Sequence, residues 1–528
     1  MKESNHIFVF VSIASFMAIF AFLSFDGFYF YDDYTYIYYA QQIVSGEYQI
    51  ANTDIFAHRW GIILPLALSL KIFGLSEWSV CALPVLASLC SLGLLYLFSK
   101  NLSTESRLYA ILFFGLDFYT LFFTNKIYPD VLLTTLVLAS LYCLWHRNKH
   151  WVVSLGFVCF NFWAFLCKEL IIYLLPFYVL IFAKDLRQKQ NYHFWIISAF
   201  IVVLLTTIYL IVYQNFTENL FFRFQLIQDA HQDFGQFSYF HKGRNALLQR
   251  ITYEPILMFI NTTTLITFSG AIVWLLFGNF NPKSKYYISN TQKEFVSYLA
   301  SAFASGLLMF WLMTTNFTIY EPIHLYPRHI LFLLPLGAML SAVALESKKI
   351  STTTAVLLLF SALWAWKSIG YKTSILYLLL AVWLILKYFV NIKIGKTIWE
   401  VSFAVILLLH PLYTMLKPTE TGYWAEKEIF EKYVVKLQEP CIIYTDDKLL
   451  TGHRWYFKFK QNNSLVFKDF AELDKDKALH LKKYVLINQY SIAYFKQIGV
   501  QFPYFVEKQP DSWQKVAEKD NIKLYLFE

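Results

Sequence analysis

Charge is scarce in this chain. Asp, Glu, Lys and Arg make up 15% of its 528 residues, against 57% hydrophobic ones, too small a share for a water-soluble enzyme. Cysteine is scarce as well. The six, at 81, 90, 143, 159, 167 and 441, lie almost all in apolar runs with no CxxC or zinc spacing, so neither a disulfide framework nor a metal–thiolate centre follows. The motifs HExxH, GxSxG and GxGxxG are missing, which removes the familiar zinc-hydrolase, serine-hydrolase and dinucleotide signatures. Gly395-Lys396-Thr397 imitates the end of a phosphate-binding loop, but Val390 stands where the first glycine is required. No internal repeat or low-complexity segment occurs.

Aromatic residues and long apolar runs are plentiful: 52 Phe, 37 Tyr and 15 Trp. The formal charge of +9 is spread over short loops between apolar runs, as the positive-inside rule demands, and is read as topology rather than nucleic-acid binding. Hydropathy predicts spans at 7–25, 77–98, 108–123, 131–145, 152–167, 170–183, 194–213, 256–277, 295–313, 328–345, 351–367, 375–390 and 397–416, about thirteen in all. The first reads as a retained signal anchor with a cytoplasmic N-terminus. Basic clusters "HRNKH" and "KDLRQKQ" both belong on the cytoplasmic side, so 152–183 must go out and come back.

The expected fold class is a polytopic α-helical membrane protein with a small extracytoplasmic α/β domain at its C-terminal end. Residues 1–417 form the transmembrane part, with an outer first loop over 26–76 that contains an interfacial helix at 61–74. A second long loop, 214–255, suits a mobile lid or binding loop. Residues 418–528 lose the apolar runs and alternate strand-like "CIIYT", "YVLIN" and "KLYLF" with helical stretches such as 424–437.

Under this topology the charged outliers gather at the outer ends of spans. In "FYFYDDYTYIYYAQQ", Asp32 and Asp33 sit among eight aromatic residues; Asp130, Lys168-Glu169 and Arg328 recur on the same face. Charges there either snorkel to water or serve a site. Arg328, Lys168 and Arg59 suit a phosphate, and the carboxylates suit proton removal from a hydroxyl or a hard divalent cation. An activated group outside the inner membrane, where no nucleotide pool exists, must arrive on a lipid. His324 and His329 near Glu321 read as loop histidines, because Pro322 and Pro327 break any helical register.

The stretches "YDDYTYIYYAQQIVSGEY", "AHRWGIILPLALSLKIFGLSEW", "YPDVLLTTLVLASLYCL", "AFLCKELIIYLLP" and "PRHILFLLPLGAML" together resemble the membrane-embedded GT-C glycosyltransferases of the dolichyl-phosphate-mannose protein mannosyltransferase and lipid A aminoarabinose transferase type. Asp33 departs from the usual Glu, and Arg59 stands where Lys is often found in the aminoarabinose branch. The resemblance implies Asp32 as the catalytic or acceptor-orienting acid, Asp130 as a second acid of the cleft, and Lys168 and Arg328 as ligands of a lipid phosphate. Asp33, Arg59, Glu169 and His58 are further candidates, and Asp32 with Asp130 would be the ligands of any divalent cation. The implied activity is transfer of a sugar from a polyprenyl-phosphate donor to a protein, lipid or glycan hydroxyl, with inversion, at the outer face of the inner membrane. The alternatives are a transporter or flippase, or a polymerase, of lipid-linked glycans.

Overall fold

Lipid offers no hydrogen bonds, so an apolar chain must satisfy its own backbone, and it does so here as helices. The computed structural model describes residues 3–232, 238–278, 290–390, 395–417, 421–437, 439–460, 464–475, 481–497 and 499–527. In chain order the first helices are α1 (Glu3–Leu23), α2 (Phe30–Ser45), α3 (Trp60–Phe73), α4 (Glu77–Phe98), α5 (Thr104–Gly115), α6 (Phe118–Phe122), α7 (Pro129–Trp145), α8 (Trp151–Cys167), α9 (Leu175–Arg187) and α10 (Tyr192–Thr217). Four short ones follow: α11 (Phe222–Gln232), α12 (Tyr239–Lys242), α13 (Arg244–Thr252) and α14 (Glu254–Asn261). The transmembrane part closes with α15 (Leu265–Phe277), α16 (Asn290–Leu312), α17 (Leu334–Ala344), α18 (Lys348–Ser368), α19 (Tyr371–Phe389) and α20 (Lys396–Leu416).

Among the described residues, 8 helices are long and apolar enough to cross a membrane: α1, α4, α10, α16, α18, α19, α20, and α17 together with the 3₁₀ turns that begin at Pro327. A ninth arises if α5 and α6, bent by 52°, count as one. The remaining expected spans are shorter or broken. α7 and α8 have 17 residues each. The expected span 170–183 is a 3₁₀ segment, Glu169–Leu174, leading into the 13 residues of α9. The expected span 256–277 divides into α14 and α15 because Thr263 takes a left-handed conformation, φ 59, which a helix cannot contain. Helices α15 and α17 approach closely through small residues: a Cβ on Gly270 would lie 2.8 Å from the Ser341 backbone, the packing that lipid-embedded helices favour.

Helix α3 buries Ile63, Leu66 and Leu70 and leaves Leu64, Leu68 and Ile72 exposed on its other side. The 214–255 stretch, read from sequence as a mobile lid or binding loop, is largely helical and pinned. Arg250 is fully buried and donates to the carbonyls of Phe310, Trp311 and Ile323, and Glu321 accepts from the Ser238 hydroxyl and the Tyr239 and Phe240 N–H groups.

The expected boundary at 417/418 falls beside residues 418–420, outside the described ones. Beyond it, α21 (Tyr423–Ile429), α22 (Leu450–His453) and α23 (Gln489–Gln497) flank five strands, β1 (Cys441–Thr445), β2 (Leu465–Asp469), β3 (Lys482–Asn488), β4 (Gln514–Lys519) and β5 (Ile522–Phe527). Their order is β2-β1-β3-β5-β4, with β1 parallel to β2 and β3, and β5 antiparallel to β3 and β4. This sheet domain docks on the start of α2. Gly27, at φ +104, gives Tyr423 room that no side chain would leave: a Cβ there would stand 2.1 Å from the Tyr423 Cβ. The Thr421 hydroxyl donates to the Asp26 carbonyl at 2.7 Å, Lys427 pairs with Glu77 at 2.5 Å, and Phe28 packs its ring edge-on against Tyr423 and Trp455.

Candidate active site

Asp32 and Asp33 occupy the first turn of α2, where exposed N–H groups favour negative charge. Consecutive helix residues point about 100° apart, so the pair divides. Asp33 turns inward, is 0% exposed, and accepts from the N–H of Tyr29 at 2.7 Å and of Ile127 at 2.9 Å. It ties α2 to the segment before α7 and is not among the residues that line the cavity, so this further candidate from the sequence, the possible second acid of the Asp32-Asp33 pair, stands away from the cleft. Burial pushes its carboxyl up to about 7, with the two N–H donors and Lys126 opposing.

That shift sets an expected pH dependence. The folded protein holds the Asp33 proton more tightly than the unfolded chain, so this group's stabilising contribution is complete below about 4, its ordinary value, and is lost as pH rises through about 7. Over that window the thermal midpoint of the wild type should fall more steeply than that of Asp33→Asn; parallel curves would contradict the buried, protonated state.

Asp32 faces the other way, into a cavity of about 1560 Å³ that Arg59, Lys168, Glu169 and Arg328 also line. Arg328 stands 296 positions away in sequence and forms an ion pair with Asp32. Its guanidinium lies 4.8 Å from the ring centre of Tyr128 and 5.5 Å from that of Tyr326, a pair of aromatic faces that fixes the plane of the fork. Its Nε has no hydrogen-bond partner among the described residues.

Lys168 follows the last turn of α8 in an extended conformation, φ −165 and ψ 147, which swings it toward α7. There its Nζ donates to Asp130 at 2.7 Å. Asp130, brought to the first turn of α7 by Pro129, is 1% exposed and lies behind Lys168 rather than on the cavity wall. The position read as a second acid of the cleft is therefore a buried counter-ion in this structure. Glu169 reaches the cavity and is held by Arg223 of α11, itself 1% exposed. Arg59 donates to the Tyr36 hydroxyl and keeps an unpartnered Nε among the described residues.

His58 is enclosed, not available. Its ring nitrogens meet the Tyr213 hydroxyl at 2.9 Å and the Asn52 carbonyl at 2.6 Å, and burial pushes the imidazole down from its ordinary range. It clips the first loop to α10. His324 and His329 do line the cavity, with His329 Nδ1 donating to the His324 carbonyl at 2.7 Å. Among the described residues no group of three or more His, Cys, Asp or Glu is placed to hold a metal ion, and Asp32 and Asp130 each meet a cationic side chain. The residues present do not fit the divalent-cation centre weighed from sequence.

Four contributors were not foreseen: Arg223, Tyr128, Tyr326 and, from α23 of the sheet domain, Tyr494, which lines the cavity and packs on Tyr29. The same cavity is also lined by Phe157, Asn161, Phe162 and Phe165 of α8, Leu175 and Tyr178 of α9 and Val202 of α10. Leu175 and Val202 are 51% and 47% exposed.

Residues 62–211 match the family model described as dolichyl-phosphate-mannose-protein mannosyltransferase. Over nearly its whole length the chain also superimposes on ArnT from Cupriavidus metallidurans. The ArnT structure bound to undecaprenyl phosphate gives a TM-score of 0.55 at 13% identity, covering 99% of this chain and 98% of that one. The chain shares the ArnT fold. The apo ArnT structure matches equally, with a TM-score of 0.55 and 13% identity over 100% and 98% of the two chains. No curated protein sequence matches significantly. The GT-C resemblance read from the five sequence stretches is thus borne out, as is the helical membrane fold with a small C-terminal sheet domain. On this fold the charged residues and the apolar ones line one cavity.

Proposed function

We propose that this protein is a glycosyltransferase that moves a sugar from a polyprenyl-phosphate donor to a hydroxyl acceptor, with inversion, on the outer face of the inner membrane. The observation that supports it most is one cavity lined by a carboxylate, Asp32, by the cations Arg59, Lys168 and Arg328, and by many apolar side chains of α8, α9 and α10. On this reading the apolar side chains take the isoprenoid chain and the three cations its phosphate. Undecaprenyl phosphate, held by one ArnT structure, belongs to this ligand class.

Transfer needs little from an acid, because the leaving group is already a phosphate. As the bond between the anomeric carbon and the phosphate oxygen breaks, charge grows on the phosphate and the cations stabilise it. Asp32 takes the proton of the attacking hydroxyl, and a single displacement inverts the anomeric carbon. Asp130 keeps Lys168 charged and aimed. A cytoplasmic N-terminus and an odd number of spans would put the sheet domain and the acceptor on the outer side.

Arg328→Lys is expected to weaken donor binding although it keeps the charge, since an ammonium cannot make two parallel hydrogen bonds to phosphate; Arg328→Ala should weaken it further. Titration of a polyprenyl phosphate in nanodiscs measures this, and equal affinity for wild type and Arg328→Lys would remove Arg328 from the phosphate site.

Mass spectrometry of surface glycans tests the whole reading. A strain lacking the protein should lose a sugar that the wild-type gene restores and Asp32→Asn does not. Unchanged glycans in the deletion strain would overturn the proposal, and restoration by Asp32→Asn would favour transport over chemistry.

A further inference from the structure

We propose that α12 and α13, together with the loop that carries Phe317, lie in the headgroup layer of the bilayer and bind anionic phospholipid headgroups at the rim of the cavity. Two faces of this segment are unlike. The inner face is fixed by buried polar anchors: Arg250 on three carbonyls and Glu321 on the start of α12. The outer face exposes Phe240, Leu248 and Tyr253 at 57%, 45% and 47%. Phe317, 86% exposed, projects from a loop that is itself held: the Asn316 side chain accepts from the Thr318 and Ile319 N–H groups, and Thr314 is bridged to Pro322. Its exposure is therefore built in, not a consequence of slack.

Large apolar side chains held outward by a fixed scaffold mark an interaction surface. Its occupant follows from its neighbours in the chain. Helix α10, a span only 11% buried, ends at Thr217 with Phe216, Leu220 and Phe221 exposed, so the chain enters this region from a lipid-facing span. On the other side Ile256 of α14 is exposed as well. Exposed aromatic residues in a segment that follows a lipid-facing span belong at the bilayer surface, whose interfacial layer they favour.

Charge names the headgroup. Lys242 and Arg244 are both exposed, and neither has an ion-pair partner among the described residues. Lys242 closes α12 above the Tyr239 ring, 5.3 Å away, and lines the cavity together with Phe317. Basic side chains beside inserted aromatics match an anionic phosphate at headgroup depth. The inference concerns bulk phospholipid and stands whether or not the cavity transfers sugar.

The test uses the full-length protein in nanodiscs of phosphatidylcholine with or without phosphatidylglycerol. Hydroxyl-radical footprinting, with each rate divided by the intrinsic reactivity of its residue type, should show Phe240, Leu248 and Phe317 protected several-fold relative to Tyr504, a 71% exposed residue of the sheet domain. Normalised rates equal to that of Tyr504 would overturn the placement. Native mass spectrometry should find phosphatidylglycerol retained over phosphatidylcholine, and Lys242→Gln/Arg244→Gln should weaken that preference by about fivefold per charge removed. Unaltered retention in the double variant would overturn the headgroup assignment even if the aromatic residues are protected.

Discussion

Asp32→Asn abolishes sugar transfer in the expected result, and the variant remains folded and inserted. Asparagine keeps the shape of the side chain and can still accept a hydrogen bond from Arg328, so the aromatic-flanked guanidinium stays in place. What is lost is the capacity to take a proton, which in general-base catalysis contributes about 10²- to 10⁴-fold. Because Asp32 lines the cavity and Asp33 does not, the effect should be confined to position 32. The measurement is turnover of a polyprenyl-phosphate sugar by purified protein in nanodiscs, with the thermal midpoint as a control for folding. Activity within a few-fold of wild type would remove Asp32 from the chemistry.

Lys168→Met should damage both stability and transfer. The Lys168–Asp130 pair is buried, with side chains 9% and 1% exposed, and removing the lysine leaves a buried carboxylate without its ion-pair partner, one of its oxygens already unpartnered among the described residues. Breaking such a pair costs about 3–5 kcal/mol, a visible fall in thermal midpoint. Replacing both members, Asp130→Asn with Lys168→Met, removes the stranded charge, so stability should largely return. Transfer should not, because the cation that would face the phosphate is gone. A double variant that regains activity would show that Lys168 serves only the fold.

How far these roles were legible in sequence depended on what each residue needed from distant parts of the chain. Lys168, Arg328 and Asp130 stood out because charge beside an apolar run is costly wherever the run goes. Which of them touches the cavity was not legible. Asp32 and Asp33 have the same chemistry, and the N–H groups of Tyr29 and of distant Ile127, which both claim Asp33, distinguish the one that turns inward. Arg223 was hidden for a different reason: it lies in a loop by hydropathy, and its partner Glu169 is 54 positions away. Strand runs in the C-terminal part were plain from their β-branched and aromatic content, whereas the mixed strand order rests on pairings no local pattern encodes. Spans were overextended at 256–277, because nothing in "NTTTL" announces the left-handed Thr263.

The seam between the sheet domain and the start of α2 gives the protein's maturation an order. Thr421 meets Asp26 across 395 positions, and at about 5–20 residues per second a ribosome needs tens of seconds to make the intervening chain. Throughout that interval Phe28 lacks Tyr423 and Trp455, and the helix bearing Asp32 is without its partners from the sheet domain. Nascent chains are consequently inserted long before this seam can close, and a product truncated ahead of Thr421 would occupy the membrane with the start of α2 uncovered.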